Sequence, residues 1–153
     1  MGKTVRKFDI LISCPSDIKK ELDIIDKVVK SFNSTIGNAN DVIILTKHWE
    51  TDSYAQSGGT PQDLLNEQIV IDSDAIIAVF WTRFGSPTEN YGSGTEEEIE
   101  LLLEQGKQVF LYFSNAPISP SEYDDEQYKK IGEFKSRYES RGIYKTYTSF
   151  DEF

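Results

Sequence analysis

The longest apolar stretch in the sequence is AIIAVFW, which runs from Ala75 to Trp81. It is an unbroken apolar run with several β-branched residues, a pattern typical of a central strand in a parallel sheet that is covered on both faces. Seven residues are far fewer than the ~20 apolar residues that a membrane-spanning helix requires. The run therefore predicts a buried strand at the centre of an α/β domain.

Shorter apolar runs flank this strand, and amphipathic stretches separate them. The other predicted strands are Phe8–Ser13, Val42–Leu45, Val109–Phe113 and Ile143–Tyr147. Apolar residues at helical spacing predict helices from Asp17 to Phe32, from Thr60, from Thr95 to Gly106, and from Glu122 to Ser140. Asn33–Asp41 is predicted as a turn. In the last helix we expect Tyr128, Ile131, Phe134 and Tyr138 to point inward.

Strands that alternate with helices in this way imply a parallel sheet with right-handed crossovers. We predict a flavodoxin-like, three-layer α/β sandwich whose five-stranded sheet has the order 2-1-3-4-5. Ligands bind to such sheets at the carboxyl ends of the strands, near the switch point between strands 1 and 3. The candidate residues at that edge are Ser13, Asp17, Trp81, Arg83 and the turn from Thr95 to Glu98.

The charge balance excludes two classes of partner. The 153 residues contain 16 Lys and Arg against 26 Asp and Glu, a formal net charge of −10. Nucleic acids and anionic membranes both require a concentrated positive field, so we expect neither as a partner. Cys14 is the only cysteine and His48 the only histidine, which excludes an internal disulfide and a zinc site of the usual ligand count. We expect a cytoplasmic protein without a metal.

The start of the third predicted helix allows two interpretations. The stretch GSGTEEEI, Gly92 to Ile99, brings a glycine-rich backbone and three carboxylates to the predicted cleft. Thr95 and Glu98 have the spacing of a capping box, in which they would only satisfy the end of their own helix. Alternatively, Glu98 turns towards the cleft and acts on a ligand. The pattern alone leaves both interpretations open.

Two interpretations are also open for Arg83 and Trp81. Arg83 between aromatic residues is suited to grip a phosphate while the ring of Trp81 stacks on a base, but the same residues also suit core closure and an ion pair. Cys14 is predicted to be buried and inert, and His48 to be a surface residue. Thr60 followed by Pro61 is predicted to begin a helix as its N-cap and first residue.

Several motifs together resemble a known superfamily. SCPSD after the first strand, the strand DSDAIIAVFW, and GTEEEI followed by GKQV resemble the superfamily that joins TIR-like domains and nucleoside 2-deoxyribosyltransferases. The resemblance covers residues 8 to 147 and is greatest to a bacterial branch of TIR-like N-terminal domains. It implies that residues 1–153 are a single TIR-like domain from the N-terminal part of a longer protein. The spacing of Ser149 and Glu152 likewise predicts a helix start at the end of the chain.

The resemblance implies cleavage of an N-glycosidic bond. The glutamate that contacts the ribose in these families matches Glu98, which would stabilise or attack the oxocarbenium-like centre. By position, Ser13 and Asp17 would face ribose or phosphates, and Trp81 and Arg83 the base or diphosphate. Thr95 joins them as a substrate-binding residue.

Three functions follow as hypotheses. The first is an NAD hydrolase or cyclase in a bacterial immune effector, with NAD as substrate, no separate cofactor, and self-association through this domain or the rest of the chain. The second is a nucleoside or nucleotide N-glycosidase or deoxyribosyltransferase, which stays open because ILISCPSD replaces the F-x-S-[HY] motif usual in TIR domains. The third is a non-enzymatic nucleotide-binding or TIR-type assembly module.

Overall fold

The computed structural model describes residues 2–153 and contains a five-stranded, all-parallel sheet in the order β2-β1-β3-β4-β5. The strands are β1 (Arg6–Ser13), β2 (Val42–Lys47), β3 (Ala75–Phe80), β4 (Gln108–Ser114) and β5 (Lys145–Tyr147). Helices flank the sheet, so the chain has a flavodoxin-like α/β fold and the predicted strand order is confirmed.

The helices are α1 (Lys20–Phe32), α2 (Trp49–Asp52), α3 (Pro61–Leu65), α4 (Gly94–Glu104) and α5 (Asp125–Tyr138). Two of them continue as a π-helical turn, α1 over Asn33–Gly37 and α3 over Asn66–Val70. Within residues 2–153, no helix combines the length and the apolar character needed to cross a membrane.

The central strand is covered on both faces, as its apolar sequence predicts. On one face Ile76, Ala78 and Phe80 join the main core, to which α4 contributes Ile99 and Leu102. The π-helical turn after α3 and the inner side of α5 complete this core. On the other face Val79 packs in a smaller cluster that includes Ile18 and Tyr147. Alternate residues of β3 therefore face opposite layers, which is the geometry of a strand in a three-layer sandwich.

Both boundaries of the first helix differ from the predicted ones, and the last helix, Asp125–Tyr138, is shorter than predicted at both ends. The first helix begins at Lys20, not Asp17, because the Asp17 carboxylate accepts hydrogen bonds from the segment that follows β3. The predicted turn at Asn33–Asp41 is wrong over most of its length, since the chain stays helical through residue 39 and only residues 40 and 41 form a turn. The Ser34 hydroxyl donates to the Lys30 carbonyl four residues earlier, so its polar side chain is satisfied within the helix.

One smaller expectation, on the inner face of the last helix, also needs correction. Ile131, Phe134 and Tyr138 of α5 are buried, but the predicted inward orientation of Tyr128 is wrong, because 42% of this residue is exposed. Its ring packs against Tyr123, with ring centroids 5.8 Å apart. At the end of the chain, the Phe153 N–H donates to the Ser149 carbonyl at 3.3 Å and closes a single turn.

Candidate functional site

A cavity of about 480 Å³ lies at the carboxyl edge of the sheet, between the ends of β1 and β3. Ser13 and Cys14 line it from the end of β1, and Gly94, Thr95 and Glu98 line it from the first turn of α4. The start of α3 and the loop at residues 85–89 form its other walls. Its volume falls within the range of roughly 300–1,000 Å³ that small-molecule sites occupy. We call it the Glu98 cavity.

Glu98 is a buried carboxylic acid held by two side chains. Only 6% of the residue is exposed. The Ser13 hydroxyl donates to its Oε2, and the Gln62 Nε2 donates to its Oε1 at 3.2 Å. Burial raises the pKa of Glu98 above its ordinary value, the neighbouring charge of Glu97 adds to the rise, and the two hydrogen bonds oppose it. The cavity therefore contains a fixed carboxyl group that keeps its proton to a higher pH than an exposed glutamate does.

Of the two interpretations of Thr95 and Glu98, the capping box is wrong, and the N-cap of α4 lies two residues before Thr95. Ser93 is the N-cap of α4, and its Oγ accepts from the Glu96 N–H at 3.1 Å. Glu96 Oε1 in turn accepts from the Gly92 N–H at 3.3 Å. Ser93 and Glu96 thus satisfy the helix end between them. Glu98 therefore does not cap the helix, and its carboxyl group accepts a hydrogen bond from the Ser13 hydroxyl instead.

Gly94 allows the close approach of Gln62 to this turn. A Cβ at position 94 would lie 2.5 Å from Gln62 Oε1, closer than any normal contact. The Gln62 side chain therefore occupies space that only a glycine leaves open. The packing of Gln62 thus explains why a glycine stands at position 94, the second glycine of the Gly-Ser-Gly stretch.

A hydrogen-bonded network extends from Gln62 to the wall of the cavity. Gln62 Nε2 also donates to Asn66 Oδ1 at 3.0 Å, and Asn66 Nδ2 donates to Glu97 Oε2 at 2.6 Å. The Thr88 hydroxyl donates to Glu97 Oε1 at 2.7 Å. Glu97 is buried but does not line the cavity. The two adjacent glutamates thus differ: Glu98 faces the cavity, whereas Glu97 ties together the elements around it.

The structure brings Ser13, Thr95 and Glu98 together but places the other three predicted site residues elsewhere. Asp17, Trp81 and Arg83 line a neighbouring cleft of about 340 Å³, which we call the Asp17 cleft. Asp17 Oδ2 accepts from the Thr82 N–H at 2.8 Å, from the Thr82 hydroxyl and from the Arg83 N–H. The Trp81 indole N–H donates to the Ala116 carbonyl at 3.0 Å. Asp17 and Trp81 thus connect loops, and the Arg83 side chain is exposed.

Gln62, Asn66 and Thr88 are the site residues that sequence reasoning missed. The predicted helix start at Thr60 is confirmed, since its side chain accepts from the Asp63 N–H at 3.2 Å. Gln62 and Asn66 are four residues apart near that start and thus lie on one helical face. Two amide side chains on the same face of a helix that begins at the ligand-binding edge indicate a polar site, and this pattern is visible in the sequence.

The electrostatic character of the Glu98 cavity is acidic. Its lining, as far as the structure describes it, carries the carboxylates Glu89 and Glu98 and no lysine or arginine. Within the described part of the chain, no group of three or more His, Cys, Asp or Glu side chains is placed to hold a metal ion. Lysine and arginine appear instead in the Asp17 cleft, as Lys19 and Arg83.

Comparisons with solved structures give distant similarities. A conserved protein from Enterococcus faecalis V583 is 12% identical, with a TM-score of 0.44, and the match covers 95% of this chain and 94% of that one. A homoserine dehydrogenase from S. aureus is 14% identical, with a TM-score of 0.40 over 93% of this chain. The match spans only 33% of that enzyme. The chain matches no curated protein sequence.

The family comparison covers nearly the whole chain. Residues 10–153 match a single family model, which includes every strand and helix described above except the first residues of β1. The match also contains Ser13, Gln62 and Glu98. The chain therefore belongs to the family described as Domain of unknown function (DUF4062).

Proposed function

We propose that this domain cleaves an N-glycosidic bond, with Glu98 as the catalytic carboxylate and NAD as the preferred substrate. The observation that carries the proposal is a carboxyl group, 6% exposed, that lines a ligand-sized cavity and is held by Ser13 and Gln62. When the base leaves C1′, positive charge develops on the sugar. A fixed carboxylate in a site of low dielectric lowers the barrier by stabilising that charge or by attacking C1′.

The acidic lining of the cavity suits the nicotinamide end of NAD. The oxidised nicotinamide ring carries a positive charge, and the described lining contains two carboxyl groups, Glu89 and Glu98, and no lysine or arginine. The diphosphate does not fit such a lining, and we place it towards the Asp17 cleft, where Lys19 and Arg83 lie. This placement keeps Ser13 and Thr95 beside the ribose and gives Arg83 a phosphate to bind.

A second candidate is hydrolysis or base exchange of an uncharged nucleoside. The absence of lysine and arginine from the described lining of the Glu98 cavity favours it, because a nucleoside brings no phosphate to neutralise. The chemistry at C1′ is the same in both cases. The two candidates differ only in whether the residues of the Asp17 cleft contribute to binding.

The test is release of free base by the purified protein. NAD and a panel of nucleosides are incubated with wild type, Glu98→Gln and Glu104→Gln. Each incubation is repeated over a series of protein concentrations, because we also propose that self-association supports activity. We expect nicotinamide release by wild type and a fall of roughly 100- to 1,000-fold in Glu98→Gln. Glu104→Gln is the matched control, since Glu104 is an exposed residue of the same helix.

Three results separate the candidates. Nicotinamide release that also falls when Arg83 is replaced by Ala supports the assignment of NAD. Base release from a nucleoside with NAD untouched selects the second candidate. Equal rates in wild type and Glu98→Gln, or no base release from any substrate, contradict the proposal.

A further inference from the structure

Gln62 contacts the carboxylate of Glu98 and is itself held in one orientation. Its Nε2 donates both to Glu98 Oε1 at 3.2 Å and to Asn66 Oδ1 at 3.0 Å. A glutamine amide has two N–H groups on nitrogen and only acceptors on oxygen. Both N–H groups are therefore committed, one to the acid in the cavity and one to the next amide.

Asn66 and Glu97 fix that orientation from behind. Both oxygens of Glu97 accept hydrogen bonds, Oε1 from the Thr88 hydroxyl at 2.7 Å and Oε2 from Asn66 Nδ2 at 2.6 Å, so Asn66 presents its NH₂ to Glu97. The carbonyl oxygen of Asn66 then faces Gln62 and accepts from it. Reversing the Gln62 amide would set its oxygen against both this carbonyl and the Glu98 carboxylate. Glu97 is 5% exposed, which strengthens the constraint because water cannot easily replace these partners.

The oxygen of the Gln62 amide lies against residue 94 and limits the size of the side chain at that position. Gln62 Oε1 lies where a Cβ of residue 94 would come within 2.5 Å, while Gln62 Cδ lies at an ordinary contact distance of 3.5 Å from the same point. The backbone angle of Gly94 is not one that disfavours other residues. A Cβ at this position would therefore displace the Gln62 amide, whereas the helix backbone itself accepts other residues.

We propose that Gln62 is a positioning residue for Glu98, with Gly94 providing the space for its amide and Glu97 setting its orientation through Asn66. The inference rests on the proposed function for its kinetic consequence. The hydrogen bond itself is a property of the folded chain and is measurable without any substrate. Removing the donor disfavours the anion, so Glu98 then becomes a weaker acid.

Two substitutions at different residues are each expected to remove the hydrogen bond from Gln62 to Glu98. Gln62→Leu removes the donor and ends near the position of Cδ, and Gly94→Ala displaces the amide by occupying its space. The titration of Glu98 is followed by NMR of the side-chain carboxyl carbon in protein labelled at glutamate, with the Glu98 signal identified by its loss in Glu98→Gln. Titratable groups that share the surroundings of Glu98 are Glu97, Glu89 and Cys14, and neither substitution replaces them.

We expect each single variant to lower the acid dissociation constant of Glu98 roughly tenfold. In the double variant the effects do not add, because leucine at position 62 leaves no amide for the Cβ at position 94 to displace. Gly132→Ala is the matched control, since Gly132 lies within α5 and an added Cβ there meets nothing within 4 Å. This control keeps the wild-type titration.

The outcomes separate this inference from the proposed function. An unchanged titration in Gly94→Ala overturns the inference, as do shifts that add fully in the double variant. If Gln62→Leu does not fold, Gly94→Ala still decides, because alanine is the better helix former. Where wild type releases base, the pH profile of release moves with the titration. A wild type that releases no base contradicts the proposed function and leaves the titration result intact.

Discussion

The Glu98 cavity and the Asp17 cleft lie at the same edge of the sheet and each contains a carboxylate, but the two carboxylates have different partners. Glu98 is bonded by two side chains, Ser13 and Gln62, and lines an open cavity. The bonded oxygen of Asp17 is taken up by two backbone N–H groups and the hydroxyl of Thr82. A carboxylate bound by backbone holds the chain in place, whereas one bound by side chains beside a cavity is available to a ligand.

The comparison extends to the residues around each acid. The Trp81 indole is also committed to a backbone carbonyl, and a third cavity of about 200 Å³ near Asp17 is lined by the buried Glu21 and Tyr147. Burial raises the pKa of Glu21, and the charge of Asp17 adds to the rise. Burial also raises the pKa of Tyr147. The Asp17 carboxylate and the Trp81 indole therefore connect strand ends and loops and stabilise the fold, whereas the exposed Arg83 side chain is the part of the cleft that is available to a ligand.

The largest effect is expected when Asp17 is replaced. Asp17→Ala removes the acceptor of the Arg83 N–H and leaves the N–H and hydroxyl of the buried Thr82 unpaired, which is costly. We expect the free energy of unfolding to fall by about 3 kcal/mol, measured by urea denaturation. Asp17→Asn, which keeps a carbonyl acceptor, loses less. A loss below about 0.5 kcal/mol in Asp17→Ala means that water replaces the carboxylate and that the cleft is not structural.

The second prediction concerns how the free energy of unfolding depends on pH, and in particular the contribution of the Glu98 carboxyl group. Its pKa is raised by burial above the ordinary value of 4.5, so the unfolded chain ionises first as pH rises. The folded state then holds the extra proton, and the wild type loses stability from about pH 4.5 up to the raised pKa. Above that pKa the loss is complete and constant. Glu98→Gln has no such loss, because its amide does not ionise.

The measurement is the free energy of unfolding of both proteins from pH 4 to pH 8. We expect Glu98→Gln to gain stability relative to wild type as pH rises through this window, while Glu104→Gln shows no such trend. A difference that is flat with pH would mean that the Glu98 carboxyl is not desolvated.

The smallest expected effect is that of Trp81→Phe. This change removes one hydrogen bond, from the indole N–H to the Ala116 carbonyl, and keeps an aromatic ring in the small cluster around Val79. We expect a loss of about 1 kcal/mol in the free energy of unfolding by urea denaturation. The titration of Glu98 should stay as in wild type. A shift in that titration would show that the two regions are coupled and remove the distinction between them.

Much of the fold was predictable because each element depends on its own sequence. The apolar run from Ala75 to Trp81 and the helix start at Thr60 and Pro61 were both found from local patterns. Where the expectation failed, a more distant residue intervened. The first helix starts late because Asp17 is engaged by Thr82, which lies 65 residues further along the chain.

The candidate site was predictable only in part. Glu98 was identified as a candidate, but the pattern did not distinguish a cap from a cavity residue, because Ser93 and Thr95 are both capable N-caps. Gln62 was not found, since its contact with Glu98 joins residues 36 positions apart and has no periodicity in the sequence. Asp17, Trp81 and Arg83 were grouped with Glu98 because all lie at one sheet edge. That edge is wide enough for two separate clefts.

The alternation of strands and helices, the parallel sheet and the edge at which the polar residues lie are all predictable from the amino-acid sequence. Those features follow from hydrophobic periodicity and chain connectivity, which are local properties. By contrast, the orientation of Glu98 towards the cavity, that of Glu97 away from it, and the space that Gly94 leaves for Gln62 are visible only in the folded protein. Those outcomes depend on which side chains from distant segments meet, and burial then sets the charge behaviour of each carboxyl group.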